Sequence, residues 1–206
     1  VIADVVDAKI DDVVAVTASI SGGLVAVSGG GLDMRSSIDN TVKAYVSGAM
    51  DVMALGDIVV SATENAYIAG DAVNVTLAFG LGMAIGVSLV SHEIKSDIQA
   101  YVDGPDISAE NLSVSANSTA NIDKTDTAGV AGSLIAAVGN RADADISTTV
   151  DAYLQNAEVT VVDTVTISAN AFNTANAFAA GGAFGAIAAG AMISDINLGR
   201  GTGVDE

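Results

Sequence analysis

Residues 75–102 read VTLAFGLGMAIGVSLVSHEIKSDIQAYV, and the alternation of large and small side chains in this stretch decides the fold. From Val75 to Leu89 each odd position is bulky and apolar (Val75, Leu77, Phe79, Leu81, Met83, Ile85, Val87, Leu89), and each even one is small. A period of two means a strand with large side chains on one face and small ones on the other. Small residues allow a second sheet to approach closely, so both faces are expected to be buried. After Leu89 the phase inverts. Val90, Ile94, Ile98, Ala100 and Val102 occupy even positions and the odd ones turn polar, which predicts a bulge or corner inside the strand. Residues 140–154 repeat the half-polar part, with Arg141, Asp143, Asp145 and Asp151 on a wet, acidic face.

Working outward, the same signals recur. Val60-Ser61-Ala62, Val114-Ser115-Ala116 and Ile167-Ser168-Ala169 open three segments, and Val1-Ile2-Ala3 opens the chain in the same way. They are followed by Ala66-Tyr67-Ile68, Ala120-Asn121-Ile122, Ala175-Asn176-Ala177 and, in the first copy, Ala8-Lys9-Ile10. Ile10, Ile68 and Ile122 stand 58 and 54 residues apart; Tyr45, Tyr101 and Tyr153, each preceded by Ala, stand 56 and 52 apart. Two markers holding one period predict tandem structural repeats: 1–59, 60–113, 114–166, and a partial fourth copy or terminal cap over 167–206. Turn residues at Ala69-Gly70-Asp71, Gly29-Gly30-Gly31 and Asp103-Gly104-Pro105-Asp106 are expected to close strands. The expected fold class is all-β: an elongated β-solenoid or stacked-sheet repeat rod with long strands, the alternative being a layered antiparallel β-sandwich. The alanine-rich stretches near Ala136 and Ala188 carry helix propensity. Residues 175–193 are apolar for about the length of a bilayer-spanning helix, but no Lys or Arg flanks them and their counterparts in earlier repeats read as strands.

Composition removes several function classes. Seven Lys and Arg against 25 Asp and Glu give a net charge of −18, which repels phosphate and excludes nucleic acid as a partner. Half of the 206 residues are apolar, so the chain is expected to fold. Without cysteine there is neither a disulfide nor a thiolate site, and the sole histidine, His92, reads as half-buried and structural. Four Tyr and no Trp leave no aromatic platforms for a sugar substrate and too few residues for the girdles of a membrane barrel. Gly80, Gly82 and Gly86 imitate a dinucleotide fingerprint, but they fall on the small face of an alternating strand, where packing accounts for them. The start at Val1 reads as an excised or processed piece of something longer.

The remaining chemical resource is carboxylate. Asp123, Asp126, Asp143 and Asp145 are the candidate Ca²⁺ ligands, and the competing reading is a solvated acidic face that keeps an apolar chain soluble. Tyr45, Tyr101 and Tyr153, with Leu81, Met83 and Ile85, are the candidate contacts between neighbouring repeats. Asn74, Asn111 and Asn117 open glycosylation sequons.

The combination of a Val-x-Val-x-Ala start, the Gly/Ala-rich run Ala78-Phe79-Gly80-Leu81-Gly82-Met83-Ala84-Ile85-Gly86-Val87 and an Ala-Tyr-Val continuation resembles the tandem repeats of giant bacterial surface proteins, the filamentous-haemagglutinin-like and leukotoxin-like adhesins. The resemblance implies export, a β-solenoid or related rod, and a role in adhesion or as a surface fibre. The expected function is therefore a non-enzymatic, structural extracellular or cell-surface protein, self-associating through its ends with copies of itself or with neighbouring repeats. Neither a cofactor nor membrane insertion is expected. A Ca²⁺-dependent module that binds a host or cell-surface ligand through its acidic face is the alternative.

Overall fold

The computed structural model describes residues 1–48 and 51–199, and within them it is all strand and turn. In chain order the strands are β1 (Ile2–Ser47), β2 (Val52–Met53), β3 (Ile58–Asp103), β4 (Ile107–Ala109), β5 (Leu112–Gly132), β6 (Ile135–Gln155), β7 (Val159–Val161), β8 (Val165–Ala175), β9 (Phe178–Phe184) and β10 (Ile187–Leu198). Every pairing among them is parallel, which sets aside the antiparallel sandwich.

β3 shows how a coil is built. Its first half, Ile58–Leu77, pairs with β5, and its second half, Met83–Asp103, pairs with β6. One coil is therefore an outgoing arm, a bend, a return arm and a short base strand. β1 supplies both arms of the coil below β3, β5 and β6 those of the coil above it, and β8 with β9 and then β10 those of the last coil. β2, β4 and β7 form a separate, narrow three-stranded sheet at the base. Over the described residues the chain is a flattened β-solenoid of three full coils and part of a fourth, whose return arm pairs with β6 only as far as Ile146. A 21-residue arm such as β5 spans about 70 Å, and successive coils lie about 4.8 Å apart.

The register aligns the repeat markers. Val60 pairs with Val114 and Val114 with Ile167; Ile10 pairs with Ile68 and Ile68 with Ile122; Tyr45 pairs with Tyr101 and Tyr101 with Tyr153. The fourth copy needs a correction. Ile122 pairs with Ala175 and Ala120 with Asn173, so Ala175-Asn176-Ala177 lies two residues out of line with Ala120-Asn121-Ile122. The Ala-Asn dipeptide they share is coincidental. The end of the expected cap, 200–206, lies outside the described residues.

Even positions of β3 point inward along both arms, with no change of phase at Leu89. What changes there is chemistry on a fixed backbone. In the half near the base the interior holds Val60, Ile68, Ile94 and Ile98, all fully buried, against Val114, Ile122 and Ile146 of the next coil. Toward the bend it holds Ala78, Ala84, Ala131 and Ala136. The large odd residues of that outer half face outward: Phe79 is 60% exposed, Leu81 66% and Ile85 45%. The expectation that both faces are buried is thus overturned, because one coil-stack supplies a single interior and the small side chains fill it.

The corner is at Gly80, not after Leu89. Gly80 has φ +106°, and a Cβ there would collide with the Gly23 carbonyl oxygen. Gly29-Gly30-Gly31 and Ala69-Gly70-Asp71 lie inside strands, the latter at a register shift between Ile68 and Ala69. At the base, Gly48, Gly104 and Asn156 follow the three return arms with φ of +136°, +97° and +52°. The turn demands a left-handed residue in each coil, which Gly or Asn supplies. Residues 175–193 form the end of β8, β9 and part of β10, so neither they nor the segments around Ala136 and Ala188 are helical. No helix among the described residues is long and apolar enough to cross a membrane.

Candidate functional site

The half of the blade near the base is polar outside. On the return arms, Tyr45, Tyr101 and Tyr153 stack face to face, with ring centroids 5.2 and 5.0 Å apart and interplanar angles of 8° and 1°. Parallel register forces this, since identical residues in successive coils sit one above another. Farther from the base on the same arms lies an acidic surface. Glu93, Asp143, Asp145, Asp195 and Arg141 border a shallow depression of about 360 Å³, with Arg141 Nε 2.8 Å from Asp143.

The four candidate Ca²⁺ ligands do not converge. Asp123 and Asp126 are on the outgoing arm of β5, and Asp143 and Asp145 on the return arm formed by β6. Asp123 is the extra residue of the β5 register shift; it accepts a hydrogen bond from Tyr67 Oη at 3.1 Å, and its backbone carbonyl accepts one from Asn176 at 3.2 Å. Asp126 lies opposite Asp71, and partial burial, then the Asp71 charge, raise its pKa above the ordinary carboxylate value. Among the described residues no group of three or more His, Asp and Glu is placed to hold a metal ion.

The interior contains polar groups that sequence reasoning did not single out. Glu64 is 1% exposed, and its carboxylate accepts hydrogen bonds from Asn40 Nδ2 (2.8 Å), Ser96 Oγ (2.6 Å) and Ser118 Oγ (2.8 Å). Its neighbours come from three coils, so this carboxylate binds the stack together from within. Asn74, 1% exposed, donates from Nδ2 to the carbonyls of Gly30 (3.0 Å) and Val87 (2.9 Å), fastening the outgoing arm to two return arms where the core is thinnest. That sequon is therefore sealed in the folded state.

His92 is fully buried, not half-buried, and neither ring nitrogen has a hydrogen-bond partner. Burial lowers its pKa below the usual 6.5; the Gly70 and Ser91 backbones oppose the shift but form no bond of normal geometry. The ring fills the space above Gly70, where a Cβ would lie 2.9 Å from Nε2.

Leu81, Met83 and Ile85 contact their neighbours along the stack, opposite Val25, Val27 and Gly29 below, with Ile135 and Ala137 above Met83 and Ile85. They do so on the outer surface, within an apolar field that wraps both arms and the bend. No family model, curated protein or solved structure matches the chain.

Proposed function

We propose that the protein is a structural repeat segment of an extracellular surface fibre or adhesin rod, extended by coil-on-coil stacking and without enzymatic activity. The observation that carries this reading is the parallel stack, in register apart from a few local shifts, with the Tyr45–Tyr101–Tyr153 ladder on its outside and Glu64 linking three coils inside. Many of the chain's side-chain hydrogen bonds join one coil to the next. Ser61 to Ser115, Asp57 to Asn111 and Asn117 to Asn170 repeat the theme at 3.1, 2.7 and 3.0 Å. A stack of this kind grows without a limit set by its own geometry, because each coil presents to the next the edge it received from the last. The resemblance to filamentous adhesin repeats supports placement outside the cell.

Negative-stain electron microscopy of the purified chain across a concentration series tests the proposal. Ribbons about 70 Å wide that lengthen with concentration are expected, since that is the arm length at 3.3 Å per residue. Discrete four-coil particles at every concentration would contradict self-association through the ends.

A further inference from the structure

We infer that the apolar outer half of the blade is a lateral docking surface whose occupant is a second copy of this chain, on each face. This deepens the proposed function by naming a surface and a partner that axial stacking does not use.

The surface is continuous. No charged residue occurs in 13–32, 72–92, 127–140 or 176–194, the segments that form the outer half of the four coils. The outward side chains there include Val73, Phe79, Leu81, Ile85, Phe184 and Ile187, each at least 36% exposed. An apolar field over four adjoining coils exceeds the scattered exposed residues of an ordinary surface and marks an interaction site.

Three observations select a second copy. The first is relief. On the return arms Ile85 and Val87 of the second coil stand between Gly29 and Gly31 below and Ala137 and Gly139 above. A ridge of large side chains thus runs beside grooves of small ones one coil away, and an identical blade offset by one coil seats ridge in groove on both sides. The second is charge. The acidic residues lie in the half nearer the base, so two blades that overlap by their apolar halves, pointing in opposite directions, place their acidic halves at opposite ends. That separation exceeds the Debye length of about 8 Å at physiological salt. The third is area. Half of an arm of about 70 Å, about 35 Å, across four coils of about 4.8 Å offers roughly 670 Å² per face, less than the ~800 Å² per partner of a stable complex. Covering both faces, each by its own copy, takes roughly 1,340 Å² of each chain out of water, twice what a single contact can. Lateral packing is therefore open-ended and layered, not a closed dimer.

Sedimentation velocity of the full chain, from low salt to about 1 M NaCl, reads the result. Association that grows with concentration and with salt is expected, because salt screens the acidic halves. The substitutions Ile85→Glu and Val87→Glu on the return face should halt lateral growth at paired ribbons while axial growth continues. Adding Val73→Glu and Phe79→Glu on the outgoing face should lower apparent association at least tenfold. All four side chains point outward, and circular dichroism and the melting temperature confirm that each variant is folded. In electron micrographs the fourfold variant should keep single ribbons and lose side-by-side layers, which separates this inference from axial stacking. A wild-type chain that stays laterally single at high concentration and salt, or association indifferent to the four charges, would overturn it. So would monomeric chain floating with zwitterionic phosphatidylcholine vesicles, which would make a lipid phase the occupant.

Discussion

Tyr101 and Tyr153 are 52 residues apart in sequence, yet their rings are 5.0 Å apart and parallel to within 1°. Tyr101 stacks on both sides, with Tyr45 below and Tyr153 above, and each aromatic pair contributes about 0.5–1.5 kcal/mol beyond its buried area. Tyr101→Ala should therefore lower unfolding free energy by about twice as much as Tyr45→Ala or Tyr153→Ala, which each remove one stack. Tyr101→Phe should be close to neutral. Urea denaturation of the four variants checks the ratio; equal losses for Tyr45→Ala and Tyr101→Ala would mean that the rings do not form one ladder.

Glu64 gives a second prediction. Removing its carboxylate leaves the half-buried Asn40 without its acceptor and strands Ser96 and Ser118 as buried donors, and each buried polar group left unpaired costs about 1–3 kcal/mol. Glu64→Ala should be among the most destabilising single changes in the chain. Glu64→Gln, which keeps one acceptor oxygen, should lose markedly less. Thermal melts of the two variants, compared at neutral pH, provide the check.

The lone histidine sets a pH dependence. The folded-state pKa of His92 is below its unfolded value, so the unfolded chain binds more protons as pH falls through about 6.5. Its contribution to stability is complete above that pH and is lost below it. His92→Leu should flatten this part of the stability–pH curve and, by removing two unpartnered nitrogens, should raise stability at pH 6. Gly70→Ala should destabilise, since its Cβ meets His92 Nε2 and Met34 Cε at 2.9 Å, and combining it with His92→Ala should recover much of the loss.

Asp126 titrates with the opposite sign. Its raised folded-state pKa makes its contribution most favourable at low pH and lost as pH rises through that pKa, where the charge meets Asp71 in the coil below. Asp126→Asn should therefore stabilise the protein at pH 7, on the scale of about 0.2–1 kcal/mol that cross-strand pairs contribute. The gain should vanish near pH 3. Chemical denaturation at the two pH values measures it.

Much of the architecture is legible in the sequence, for a physical reason. Parallel stacking puts each residue of one coil against its counterpart in the next, so the alternation of Val75–Leu89 and the spacing of Tyr45, Tyr101 and Tyr153 report strands and period directly. Sidedness is less legible. The rule that large apolar residues point inward fails in the outer half, where Ala78 and Ala84 are buried and Leu81 and Ile85 are not. The inversion after Leu89 looked like a corner because residue chemistry switched sides while the backbone did not. The real bend, at Gly80, carries no signal beyond one more small residue in an alternating run. The base turns were readable: Gly48, Gly104 and Asn156 each come three residues after the tyrosine marker, and each adopts positive φ. Glu64 and Asn74 were hidden, since only the register reveals that their partners lie in other coils and arms.

The central claim is that equivalent residues of successive coils are stacked in parallel register. The chain has no cysteine, so nitroxide labels can be placed at will, and Asp97 and Thr149, register partners on the outer surface of the return arms, are suitable positions. Continuous-wave electron paramagnetic resonance of the Asp97→Cys, Thr149→Cys double-labelled protein should show strong dipolar broadening, as expected for backbones about 4.8 Å apart. Labels at Asp97 and Leu81 of the same arm, about 53 Å apart along the strand, should show none. Absence of broadening in the 97/149 pair, in folded and magnetically diluted protein, would contradict the stacked-coil account.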